Sequence, residues 1–198
     1  MRKAVKMTEL IQTKLTSEER RALQAEKREK ARLAKIASIP ESVHGIPVVD
    51  TVYTAVPKKR VKMLRREFTQ VRKEFLKMLA TTQQDALKQA GLSDKAIEGM
   101  KRGESPNGYN THHKQPLAGG GQNVFDNFIL IRNSPYHEDI HKIADPQICI
   151  LKDGQQAVVK MPMPAGNVFI PPKQDQKTQN AEKTINSALI LQKMQKNR

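Results

Sequence analysis

Residues 108–145 read GYNTHHKQPLAGGGQNVFDNFILIRNSPYHEDIHKIAD, and four of the chain's five histidines fall in them: His112, His113, His137 and His141. The stretch divides by its chemistry. Residues 109–114 are short and strand-like. Residues 116–124 carry the run Gly119, Gly120, Gly121 and read as a loop. NFILIR, residues 127–132, is an apolar strand. Ser134-Pro135 reads as a helix start, with Ser as N-cap and Pro at the first helical position. The helix should run through YHEDIHKIA and end before Pro146.

His137 and His141 lie one turn apart on that helix, so they share a face. Two imidazoles so placed can grip one metal ion, and His112 or His113 can supply a third ligand if the first strand packs on the helix. Open coordination positions would then remain for a phosphate oxygen and water, as in a catalytic site. The fourth histidine would be a general base, for which a pKa near 6.5 is suited. A histidine pair at this spacing is, alone, most often ordinary. Its conjunction with His-His, a glycine loop and Asn127 is much rarer. A closed structural zinc site would ordinarily use thiolates, and Cys149 is the only cysteine. In an ideal strand His112 and His113 point to opposite faces, so spacing leaves open which is ligand and which is base.

This segment resembles the HNH nuclease motif, the ββα-metal fold, and within it the colicin and pyocin DNases and related polymorphic-toxin nucleases. The resemblance covers about residues 108–144. It rests on His-His, Pro-Leu, the glycine run, Asp-Asn before an apolar strand, and His-x-x-x-His on a helix. It implies His112, His137 and His141 as metal ligands, His113 as the base that activates water, and Asn127 as the residue bracing the loop and holding the base. The Arg and Glu that colicin-type enzymes place before the His pair have no counterpart here, where Asn110 and a loop stand. About fifty residues also follow a motif that ends the colicin-type domain. Three imidazoles without a carboxylate suit Zn²⁺, Ni²⁺, Co²⁺ or Cu²⁺, and the resemblance adds Mg²⁺. It further implies DNA as substrate, with RNA open, and the toxin role of an interbacterial effector or bacteriocin. An acidic immunity protein would neutralise it. Such a toxin is made in the bacterial cytoplasm, delivered by a specialised secretion system and active in the target cell. The competing readings are a mobile-element nuclease acting at specific DNA sites and a non-catalytic nucleic-acid-binding protein with a structural metal.

Outside the segment the chain is basic. It has 198 residues, 37% hydrophobic and 4% aromatic, with a net charge of +15. Residues 101–147 are electrically neutral, so the charge lies in the flanks, and an acidic partner, nucleic acid first, is expected. No membrane span is expected, since no window reaches about 18 consecutive apolar residues. The first residues are basic but lack the apolar core of a secretory signal.

Residues 57–80 are the clearest amphipathic helix, with Val61, Leu64, Phe68, Val71, Phe75 and Met78 on one stripe. Lys58, Lys59, Arg60, Lys62, Arg65, Arg66, Arg72 and Lys73 give it a basic face, either simply solvated or tracking phosphates. Upstream, Thr16-Ser17-Glu18-Glu19 resembles a capping box opening a mostly charged, solvated helix to about Ala37. Residues 41–56 read as an extended connector with one short strand, and His44 as a loop histidine without a special role. Residues 83–90 and 94–102 form two short helices, the second capped by Ser93. Asp153-Gly154 between strand-like flanks signals a hairpin. The proline-bearing stretch 161–172 should lack regular structure, and residues 179–195 could form a helix. The expected architecture is α+β: a mainly helical N-terminal part, a ββα-metal motif, then a short C-terminal β-hairpin with a tail. The boundaries expected are 1–56, 57–147 and 148–198.

Overall fold

The structure is a computed structural model and describes residues 16–172; the helix expected over 179–195 and the basic N-terminus lie outside the described residues. The protein mixes helix and sheet, an α+β chain. It divides after Ile39 into two units, not after residue 56. The first unit contains α1 (Ser17–Ala37). Thr16 Oγ1 accepts from the Glu19 amide and Glu19 Oε2 accepts from the Thr16 amide, so the capping box forms. No α1 residue is buried, which is what its charged sequence dictates.

The second unit runs, in order, β1 (Ser42–Val43), β2 (Ile46–Thr54), α2 (Lys58–Thr82), α3 (Gln84–Gln89), α4 (Asp94–Lys101), β3 (Tyr109–His113), β4 (Phe128–Arg132), α5 (Glu138–Ile148) and β5 (Gln156–Pro162). One antiparallel sheet has the order β1-β2-β5, and β3 and β4 form a second antiparallel pair. The β3–β4 register sets His112 opposite Ile129 and His113 opposite Phe128.

Strand β4 is the septum of this unit. Its alternate side chains enter different apolar clusters, which is why it reads as an unbroken apolar run. Phe128 and Leu130 join Phe75, Leu76 and Leu79 of α2 with Leu87, Ile97 and Met100 of the two short helices. Ile129 and Ile131 join Ile46, Tyr136 and Ile140. A third cluster gathers Tyr53 of β2, Val159 and Met161 of β5, and Ala144 of α5. Burying each large apolar side chain contributes about 1.5–3 kcal/mol, so β4 fixes α2 on one side and α5 on the other.

Four expectations are corrected. Residues 41–56 hold two strands, the second nine residues long. The C-terminal hairpin does not form: Ile148 ends α5, and β5 pairs with β2 from Val48↔Pro162 to Thr54↔Gln156. Asp153-Gly154 still turns the chain, with Gly154 at φ 82°, but the residues before it are not a strand. Val159 and Met161 reach the Tyr53 cluster only from the β2 pairing. Helix α5 passes through Pro146 to Ile148, because Ala144 and Ile148, on either side of the proline, are both held in that cluster. Finally, Ser134 is not a helical N-cap. It has φ −110° and ψ 135°, its peptide bond to Pro135 is cis, and its hydroxyl donates to Glu138 Oε2 at 3.2 Å.

Candidate metal centre

The ligand nitrogens of His112, His137 and His141 lie within 4.8 Å of one another, close enough to bind one metal ion. His112 comes from β3, whose edge faces α5. His137 closes the turn before α5, with helical φ −63° and ψ −39°, and His141 follows one turn on. The three rings stand edge to face, with centroids 4.7–5.6 Å apart. Nothing in this arrangement hydrogen-bonds one imidazole to another. His112 is 7% exposed and its Nε2 is buried without a hydrogen-bond partner. A buried polar nitrogen left unpaired is costly, and a metal ion is the partner its chemistry fits.

For His112 and His137 the electrostatics favour the neutral ring, the form that coordinates metals. Burial first, then His137 and His141, push the His112 pKa down to about 3. Burial and His141 lower that of His137 as well. His141 Nδ1 lies 3.2 Å from Asp145 Oδ1. A carboxylate only accepts, so Nδ1 carries the proton and Nε2 keeps the lone pair for a metal.

His113 departs from β3 to the other side and packs between Phe68 of α2 and Phe128, at centroid distances of 4.3 and 4.9 Å. Its Nε2 is 3.0 Å from Asn123 Oδ1, while Asn123 Nδ2 donates to the Leu64 carbonyl at 2.8 Å. The carbonyl admits only the amide NH₂, so the oxygen must face His113, and His113 Nε2 must be the donor. The neutral ring therefore keeps its lone pair on Nδ1. Burial and the Arg65 guanidinium lower the His113 pKa, against the Asn123 hydrogen bond, which raises it.

Asn127 binds elsewhere. Its Nδ2 donates to the carbonyls of Gln115 and Gln122, and its Oδ1 accepts from the Gln115 amide. It closes the loop between β3 and β4, and the residue that holds His113 is Asn123. The loop explains its glycines too. A Cβ on Gly119 would stand 2.4 Å from the Tyr53 ring, and one on Gly121 would stand 1.9 Å from the Gln115 oxygen.

A cavity of about 450 Å³ opens along the edge of β3. One wall is α2, contributing Arg65 and Phe68, and the other is the His137–His141 face of α5. His112 and His113 both line it. Of the nine basic α2 residues, Arg65 alone lines this cavity. Arg72 turns its guanidinium over Phe68 at 5.9 Å. Lys58, Lys59, Arg60, Lys62, Arg66 and Lys73 lie exposed along the helix. Asn123 and Tyr53 carried no sequence signal, whereas Asp145 stands four residues after His141, a spacing that could have been read. His44 is not idle: its Nε2 lies 2.7 Å from Asp139 Oδ2 on α5.

The site is thus a cluster of three imidazoles with a fourth histidine in the same cavity and an arginine at its wall. The uncharacterized protein YhhZ of Escherichia coli K12 is similar to the chain, 31% identical over 142 residues, which is 71% of this chain and 36% of that protein. The chain spans about a third of the length of that relative. No protein-family model matches the chain, and no solved structure matches it. No helix among the described residues is long and apolar enough to cross a membrane.

Proposed function

We propose that the protein is a metal-dependent endonuclease of the HNH class that hydrolyses phosphodiester bonds, with DNA as the first-choice substrate. The observation that carries the reading is the histidine triangle with a separately held fourth histidine in one cavity. The order of β3, loop, β4 and α5 agrees with the ββα-metal arrangement that the sequence resembles.

His112, His137 and His141 would hold the ion through neutral nitrogens. The ion, when bound, supplies Lewis-acid charge to a phosphate oxygen and to the leaving 3′-oxygen. His113 Nδ1 takes the proton of the attacking water, since Asn123 ties up its other nitrogen. Its lowered pKa keeps that base neutral at pH 7, as proton abstraction requires. Arg65 fixes a non-bridging phosphate oxygen from the opposite wall. Lys58, Lys59, Arg60, Lys62, Arg66 and Lys73 extend along α2 as a track for neighbouring phosphates. The role we assign is that of a toxin module countered by an acidic immunity protein.

His113→Ala should lower plasmid cleavage by about 10²–10⁴-fold, the usual contribution of a general base, while a chelator-competition titration shows metal still bound. Cleavage at the wild-type rate would remove His113 from the chemistry. Cleavage of DNA and RNA side by side, stopped by EDTA and restored by Zn²⁺, Ni²⁺ or Mg²⁺, tests the class and ranks the substrates.

A further inference from the structure

The cavity extends past the histidine triangle along α5, and its character changes. Beyond His141 the α5 face presents Ala144, Asp145 and Ile148. Met161 and Tyr53 from the β2–β5 sheet, with Leu117 and Ala118 from the glycine loop, complete a recess that is almost wholly apolar. At about 1.5 Å of rise per residue, Ile148 lies roughly 10 Å along the helix from His141. The polar end and the apolar end are therefore within the reach of one nucleotide.

Tyr53 and Asp145 are the polar exceptions. Tyr53 is 4% exposed and lines the cavity. The Asp145 carboxylate is close enough to add to burial in raising the Tyr53 pKa. A donor and an acceptor thus stand together at the edge of an apolar slot. The approach is built in: only glycine at 119 lets the loop lie against the Tyr53 ring, where a Cβ would meet carbons at 2.4 Å.

We infer that this recess is a nucleobase subsite. It takes the base of a nucleotide flanking the phosphate at the histidine triangle, with the flat base against apolar walls and its polar edge toward Tyr53 and Asp145. A base can enter only when it is unpaired, so the preferred substrate is a single strand or a locally opened duplex. This rests on the hydrolase reading, which places a phosphate at the triangle, and adds what that phosphate is attached to.

The test is calorimetric titration of the Zn²⁺-loaded chain with a thymidine dinucleotide whose linkage is an uncleavable methylenephosphonate. Two analogues, each lacking one base, are titrated beside it. One abasic analogue should bind more weakly by about 5- to 150-fold, the range of a base stacked on protein. Ala118→Leu, which fills the recess, should bring the parent dinucleotide down to that level. Tyr53→Phe, the gentler change, should weaken the parent by about two- to tenfold, as for one hydrogen bond. Equal binding of parent and both abasic analogues overturns the subsite. Plasmid cleavage separates this from the reading beneath it. EDTA-reversible cleavage without base discrimination removes the recess and leaves the nuclease. Base discrimination without cleavage keeps the recess and removes the nuclease.

Discussion

Asp145 would act on a metal held by the histidine triangle without reaching into that triangle. Its bond to His141 Nδ1 fixes the tautomer that leaves Nε2 free to coordinate. Loss of such a carboxylate typically lowers metal affinity by about 10–100-fold, so Asp145→Ala should weaken Zn²⁺ in a competition titration while circular dichroism stays unchanged. An unchanged affinity would show that His141 needs no orienting partner. His112 carries a pH dependence of definite sign. Its folded pKa is pushed down to about 3 from an unfolded value of about 6.5. Between those limits the unfolded chain binds a proton that the folded chain does not, so stability rises with pH across the window. The metal-free protein should lose stability as pH falls from about 6.5, and His112→Asn should flatten that loss in a series of thermal melts. A parallel decline in both proteins would place the acid sensitivity elsewhere. The histidines were legible because their spacing is local: two adjacent, two one helical turn apart. Asn123 and Tyr53 were not. The first is an amide in a loop, and the second reaches the site only through a strand pairing.

Elements show the same division. The α2 stripe was readable since helical period is local, and Val61 and Phe75 are buried as it requires. The pairing of β2 with β5 joins residues about a hundred apart, as in the bond from Gln156 Nε2 to Thr54 Oγ1. Periodicity cannot name such a partner, so Asp153-Gly154 read as a hairpin with its nearest neighbours. One side chain, Asn127, makes three bonds to the backbone of the loop between β3 and β4. Asn127→Ala would strip the Gln115 amide and carbonyl and the Gln122 carbonyl of their partner. Unsatisfied groups cost about 1–3 kcal/mol each when water cannot replace the partner. We expect a lowered melting temperature together with reduced cleavage, since the same loop carries Asn123. Gly121→Ala should be worse than Gly154→Ala. Its Cβ would meet backbone at 1.9 Å, whereas nothing lies within 4 Å of a Cβ at Gly154. Equal melting temperatures for those two would count against this loop packing.

Across the whole molecule, charge and chemistry are kept apart. The chain carries +15, yet the histidine stretch is neutral between basic flanks, and the exposed α2 cations other than Arg65 line a surface rather than the cavity. Grip and cleavage should therefore separate experimentally. Each phosphate neutralised on duplex DNA contributes about 0.9 to the slope of log affinity against log salt. Lys62→Ala should lower that slope by about 1 and weaken binding evenly across sequences, with cleavage at saturating DNA unchanged. Arg65→Ala should do both, lowering the slope and slowing cleavage at saturation, because it alone among these cations reaches the cavity. Removing the metal should do the reverse of Lys62→Ala: cleavage stops and most of the salt-dependent binding stays. If EDTA abolished binding as completely as cleavage, the ion would be holding the nucleic acid and the α2 track would have no function.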